Sequence, residues 1–276
     1  MEIRAVVDIA FQELTINIRN KWTTLFAVVF GVLIVSMAYV GMQVEGFGGM
    51  QSFSRTSASM LNLVLYIVPL VALTMGTLSF TGDKGSMELL FSQPLVRGEV
   101  LVGKWLGLFF SIALSTLGGF SIAGGLIAAT VGTAGLVQYL LFVILSLLLG
   151  MVFLTIAVLV ATLNRRQAKS FGFALFLWFF FVLFYDLLAL GAAAMLRGEQ
   201  ANTLLFVSLF GNPVDMVRIA TLILLDSTEM FGASGAALVR FLGGELGSIL
   251  LLVCSLIAWI VIPLGISIRI LRPQDI

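Results

Sequence analysis

Long apolar runs alternate with short charged interludes along the chain. Six of the runs, at residues 23–42, 60–79, 106–131, 136–163, 170–196 and 248–268, reach the length of about 20 residues that a membrane-crossing helix needs. Residues 132–135 between the third and fourth runs leave room only for a tight, glycine-bearing hairpin. Ahead of the first run, Ile3, Val7, Ala10, Phe11, Leu14 and Ile18 recur at helical spacing, with Glu2, Arg4, Asp8, Gln12 and Glu13 on much of the other face. Residues 1–21 therefore predict an amphipathic helix lying in the membrane interface. They lack the apolar core and small-residue cleavage site of a signal peptide. The predicted fold is an all-α polytopic membrane protein, a single transmembrane domain over residues 1–276 with no internal repeat.

The interlude at 81–105 is more organised than a connecting loop requires. Residues 86–92 predict a short helix, with Asp83 or Ser86 as cap. Met87, Leu90 and Phe91 share one face of it, and Glu88 lies off that face. Pro94 stops the helix by pushing Gln93 out of helical angles. Arg97, Glu99 and Lys104 follow. Such a helix suits insertion by its apolar face into a groove on a partner.

The loop at 197–247 contains a second apolar stretch, 203–225, split at Asn212 and Pro213. Asn212 is a good N-cap, Pro213 suits the first helical position, and Asp215 falls in the positive first turn. A helix over 213–225 is about 20 Å long at 1.5 Å per residue, too short to span. It reads as a re-entrant or interfacial helix; a seventh span would carry Arg269 and Arg272 to the side poor in basic residues.

Charge orients the spans. With the N-terminus inside, the cytoplasmic segments hold Arg4, Arg19, Lys21, Lys84, Arg97, Lys104, Arg165, Arg166, Lys169, Arg269 and Arg272. The outer segments hold only Arg55, Arg197, Arg218 and Arg240, and lean acidic with Glu45, Glu199, Asp215, Asp226, Glu229 and Glu245. This positive-inside bias predicts that both termini are cytoplasmic.

Composition narrows the chemistry. Charged residues make up 11% of the chain, against about 25% in soluble domains, which leaves no room for a soluble catalytic domain beside the spans. A net charge of +1 offers no basic surface for nucleic acid, and the single cysteine, Cys254, excludes an intrachain disulfide. Histidine is absent, which removes the commonest general base and metal ligand. Residues 98–104, GEVLVGK, come close to a phosphate-binding loop, but Trp105 stands where Ser or Thr would hold magnesium, and no strand precedes it. Residues 232–235, GASG, resemble the surroundings of an intramembrane serine nucleophile, yet no histidine base exists, and the stretch reads as a turn. The eleven methionines, Met42, Met50, Met60, Met216 and Met230 among them on the outer side, lack the clustering of a copper site and read as apolar filler.

Asp186, in the fifth span, is the one intramembrane carboxylate. Such a group is costly. It either bonds to a neighbouring helix, reaches water near the outer end, or lines a transport pathway. An aspartyl protease needs a second membrane aspartate, and no other span supplies one. The nine aromatics between Phe171 and Tyr185 read as lipid contact and packing, or as a groove for a hydrophobic substrate. Gly118, Gly119, Gly124 and Gly125, with Ser115 and Ser121, give small-residue faces for close helix contact. A stand-alone channel or secondary transporter would need no docking helix and would show more membrane charge or broken helices. A membrane enzyme would need a nucleophile or acid–base pair.

The order of interfacial helix, span, outer loop, span and organised cytoplasmic interlude resembles the ABC-2 type permeases, over the whole chain. In that family the loop between the second and third spans carries an acidic residue, Gly, a Leu-rich stretch, Pro, Arg and Lys. Here these are Asp83 (or Glu88), Gly85, Leu89 and Leu90, Pro94, Arg97 and Lys104. The resemblance implies that Asp83, Lys84, Met87, Glu88, Leu90, Phe91, Pro94, Arg97 and Lys104 couple the chain to a cytoplasmic ATPase subunit. ATP and Mg would then sit on that partner, with no cofactor on this chain. Six spans make half of the usual transporter, so a homodimer is expected.

Asn212, Pro213, Val214, Asp215 and Arg218 before the last span resemble the branch of the family that matures the copper centres of nitrous oxide reductase. That likeness implies a bacterial inner membrane and a periplasmic β-helical partner, contacted through Glu45, Asn212, Pro213, Asp215 and Arg218. The cargo is then copper, a sulfur species, or nothing, the subunit acting in the last case as a mechanical relay. An exporter of a lipid-like or drug-like substrate is the alternative within the family.

Overall fold

The computed structural model describes residues 3–44, 53–82, 97–164, 166–196, 198–225 and 244–271. All secondary structure among them is helical. Helix α1 is Ile3–Ile18, α2 Lys21–Val44, α3 Phe53–Gly82, α4 Arg97–Val131 and α5 Leu136–Leu163. The fifth span is α6, Gln167–Phe179, continued through a π-helical turn, Phe180–Phe184, into α7, Tyr185–Ala194. Then come α8, Glu199–Leu209, α9, Pro213–Leu224, and α10, Glu245–Leu271.

Six helices are long and apolar enough to cross a membrane: Lys21–Gly41, Met60–Gly82, Arg97–Thr130, Leu136–Leu163, Gln167–Ala194 and Leu246–Leu271. The chain is a multi-pass membrane protein. The third span departs most from expectation. Its helix begins at Arg97, nine residues ahead of the predicted start at 106. Glu99, in the first turn, favours this start by facing the positive helix end. Arg97, Glu99 and Lys104 are thus part of a rod about 52 Å long at 1.5 Å per residue, which outreaches the hydrocarbon layer.

Helix α5 is the hub. Its sequence is apolar on all sides, as a helix buried all round must be. Phe142, Leu149, Val152, Phe153, Leu154 and Ala157 lie in the shared core. It packs against α3, α10, α4, α9 and α6. The turn into it runs through Gly132 (φ 96°) and Gly135 (φ 94°), left-handed positions that favour glycine. Of the small residues of α4, Gly119 meets Gly31 of α2, where an added Cβ would come within 3.1 Å of the Gly31 backbone; Gly118 and Gly125 face open space. The aromatics of the fifth span divide by face. Phe173, Phe176, Phe179 and Phe184 are exposed, while Phe181 is buried against Phe153 and Trp259.

Helices α8 and α9 meet at a bend of 100°. Asn212 caps α9 by accepting the Val214 N–H at 3.1 Å, and Pro213 occupies the first turn. The short helix expected from Pro213 is present, and its bend against α8 makes the pair either a broken span or a re-entrant loop.

Candidate functional site

Two buried polar clusters lie at opposite ends of the bundle. The first joins α1 to α3 and α4. Gly103 and Gly107, one turn apart on α4, remove the side chains that would hold α1 away. A Cβ on Gly103 would fall 2.8 Å from Ile9 Cβ, and one on Gly107 would strike the Ala10 carbonyl. With the backbones this close, Val6, Ile9 and Asn17 of α1 are buried. Glu13 then points at α3 and α4. Its Oε1 accepts from Asn17 Nδ2 and from Ser79 Oγ, both at 2.9 Å. Lys104 Nζ lies 3.9 Å from the same oxygen and 5.6 Å from the centre of the Phe80 ring. Lys104 is only 3% exposed, and a charge so buried persists only beside an opposite charge. On the next residue, Trp105 Nε1 donates to Thr155 Oγ1 at 3.1 Å, tying α4 to α5.

This corrects the predicted faces of α1. Glu13 belongs to the buried face, because the glycine groove on α4 receives that side of the helix. The predicted apolar face is largely left outward, with Ile3 77% and Phe11 70% exposed. Three faces result: one bound to α4, one apolar and outward, and one carrying Arg4, Asp8 and Gln12.

The second cluster joins the fifth span to the bent pair of α8 and α9. The π-helical turn sets Phe181 one turn before Asp186. Asn212 Nδ2 donates to the Phe181 carbonyl at 3.0 Å and to Asp215 Oδ2 at 2.8 Å, and approaches Asp186 Oδ1 at 3.4 Å. Arg218 Nη1 lies 2.9 Å from Asp186 Oδ2 and 2.7 Å from Asp215 Oδ1. Two carboxylates thus share one guanidinium. The side chains of Asp186 and Arg218 are 31% and 27% exposed, so the cluster has an open edge.

The structure therefore brings Asp186 together with Asn212, Asp215 and Arg218, which the sequence treats as separate candidates. Asn212 and Pro213 are buried. Of the coupling residues, Arg97 opens α4 and Lys104 is interior. Asp83, Lys84, Met87, Glu88, Leu90, Phe91 and Pro94 lie outside the described residues, as do Glu45 and the 232–235 motif. Sequence reasoning missed Glu13, Ser79 and the π-helical turn. A signal for the first existed: Gly103-x-x-x-Gly107 is a small-residue packing motif that overlaps the end of the near phosphate-loop. Among the described residues no group of three or more Asp, Glu, Cys or His could hold a metal ion. Both clusters bind elements together.

Residues 7–276 match the profile of the ABC-2 family transporter proteins. The chain is 34% identical over 276 residues to the ABC transporter permease protein NosY of Stutzerimonas stutzeri, covering 97% of this chain and 98% of that one. It is 35% identical over 233 residues to NosY of Pseudomonas aeruginosa strain PAO1, covering 82% and 85%. With six candidate spans and a family profile matched over residues 7–276, the chain belongs to the ABC-2 family of transporter membrane subunits.

Proposed function

We propose that the chain is the permease subunit of an ATP-driven complex in the bacterial inner membrane, with both termini cytoplasmic. It passes the work of ATP hydrolysis by a NosF-like cytoplasmic ATPase to the periplasmic side. There it serves copper-centre assembly of nitrous oxide reductase through a NosD-like β-helical partner. Two copies form the membrane core, each docking one ATPase, and ATP and Mg are held by the ATPase.

The observation that carries this reading is the glycine groove of α4. The segment at 83–96 leads directly into α4, and α1 is set into the first turns of that helix by Gly103, Gly107 and the Glu13–Lys104 pair. A push on the segment therefore moves α1 and the third span together. Trp105 carries it on to α5, the helix against which the second, fifth and sixth spans pack. Asp186 serves in this scheme as a structural charge bound to Arg218. The positive-inside count supports the orientation, and the identity to two NosY permeases supports the biological setting.

Co-expression of the chain with the NosF-like and NosD-like proteins of its own organism tests the reading. A complex holding two copies of this chain, two ATPase subunits and the β-helical protein should survive size-exclusion chromatography, with ATPase activity. The chain eluting without either partner would overturn it. Assembly with the ATPase alone, and hydrolysis stimulated by lipid or amphiphile, would move the reading to an exporter.

A further inference from the structure

We propose that Asp186, Asn212 and Arg218 are positioning residues that lock the bend between α8 and α9 onto the fifth and sixth spans. The bent pair and the outer halves of those two spans then move as one rigid block. The coupling reading supplies what drives the block; the lock is a property of this chain alone.

A sharp bend leaves helix-end carbonyls and N–H groups without intrahelical partners. Inside a membrane no water meets them, so irregular backbone persists only where protein satisfies it. Here side chains from two other elements do so. The Tyr185 hydroxyl, on α7, donates to the Ser208 carbonyl at 2.6 Å. Trp259 Nε1, on α10, donates to the Phe210 carbonyl at 3.0 Å. Gly211 lies against the Tyr185 hydroxyl so closely that no Cβ fits. Asn212 works in both directions, capping α9 through its Oδ1 and reaching the Phe181 carbonyl through its Nδ2. Arg218 then closes the figure from α9 back to Asp186 on α7. The Phe181 ring completes it, edge-on to Trp259 at 5.9 Å and stacked on Tyr185 at 6.4 Å.

Hinges are short connections free to absorb changes of φ and ψ. This bend is the opposite case, because the Ser208 carbonyl, the Phe210 carbonyl and the Val214 N–H are each held by a separate side chain. The charges suit a fixed joint as well. One guanidinium nitrogen, Arg218 Nη1, serves two carboxylates at once, joining α9 to α7 at the bend. Deep in the block, Asn212 has no exposed surface.

The test uses spin labels at the exposed positions Val207 on α8 and Leu187 on α7, in a Cys254→Ala background. Distances are measured in lipid nanodiscs, for the chain alone and for the assembled complex with and without ATP. The proposal expects one narrow distance distribution in the chain alone, unchanged by nucleotide in the complex. Arg218→Met and Asp186→Asn should broaden it at least twofold. Tyr185→Phe, which keeps the ring and loses only the bond to Ser208, should broaden it less, and it guards against a charge variant that fails to fold. A shift of more than about 2 Å with ATP, the size of ordinary interhelical movements, would show a hinge and overturn the proposal. A narrow distribution in all three variants would overturn it equally. If the complex does not assemble, the coupling reading fails and the variants of the chain alone still decide the lock.

Discussion

Lys104 shows how one residue can carry opposite meanings in sequence and in space. Read along the chain, Gly98 to Lys104 mimics a nucleotide-binding loop, and the lysine looks like a phosphate ligand or a docking charge. Folded, Gly103 and Gly107 are the floor on which α1 rests, and Lys104 answers Glu13 inside the protein. A side chain at Gly107 would meet backbone atoms, the Ala10 carbonyl and the Leu14 nitrogen, which cannot turn aside as a side chain can. Gly107→Ala should therefore destabilise the purified protein by about 1–3 kcal/mol, the cost of overpacking. Gly118→Ala, which meets only open space, should stay within about 0.5 kcal/mol. Thermal melts in one detergent compare the two. The ion pair gives a second prediction. Lys104→Met leaves the partly buried Glu13 carboxylate without its cation, which should lower the melting temperature. Adding Glu13→Gln removes the orphaned charge, so the double variant should melt above Lys104→Met alone. A double variant that melts lower still would mean that the two residues act independently.

At the scale of elements, local rules were legible and long-range ones were not. Asn212 and Pro213 announce the start of α9 because capping depends on a few consecutive residues, and the structure places the cap where that rule puts it. Asp186 announces itself by its cost in a membrane, but its partner Arg218 lies 32 residues further on. Only the bend between α8 and α9 folds that residue back. Glu13 was assigned to the wrong face for the same reason, since the groove that receives it belongs to the third span. The π-helical turn is the least legible element, because one extra residue in an aromatic span leaves no mark in hydrophobicity. Its geometry makes a prediction. A π turn is a one-residue widening of an α-helix, so deleting the exposed Phe184 should restore a regular helix and leave Asp186 facing Arg218. The Phe181 carbonyl then returns to its own helix and loses Asn212, at about 1 kcal/mol for one exchanged hydrogen bond. Deleting the equally exposed Phe176, in regular helix, would turn the preceding part of the span by about 100° and expose its buried face. Expression level and melting temperature should rank the Phe184 deletion well above the Phe176 deletion.

The whole molecule places one polar cluster near each end of a hydrophobic core, and the fourth span lies between them. On the proposed orientation, force enters at 83–96, is fixed to the third span by the α1 clamp, and leaves through the block formed by the bent outer pair. The two ends have different jobs, so they should fail separately. Met87, Leu90 and Phe91 share a predicted apolar face outside the spans, so replacing all three with Asp should leave the core built by α3, α4 and α5 intact. The triple variant should insert, keep its helical signal and melt with the wild type, while the NosF-like ATPase no longer co-migrates with it. The NosD-like partner should still bind, because the outer block is intact. Arg218→Met should behave in reverse, retaining the ATPase and loosening the hold on the periplasmic partner. Size-exclusion profiles of the three-protein complex separate the two patterns. If the triple variant still carries the ATPase, the docking face lies elsewhere. If it loses both partners together, the two ends are bound through one another and not through this chain.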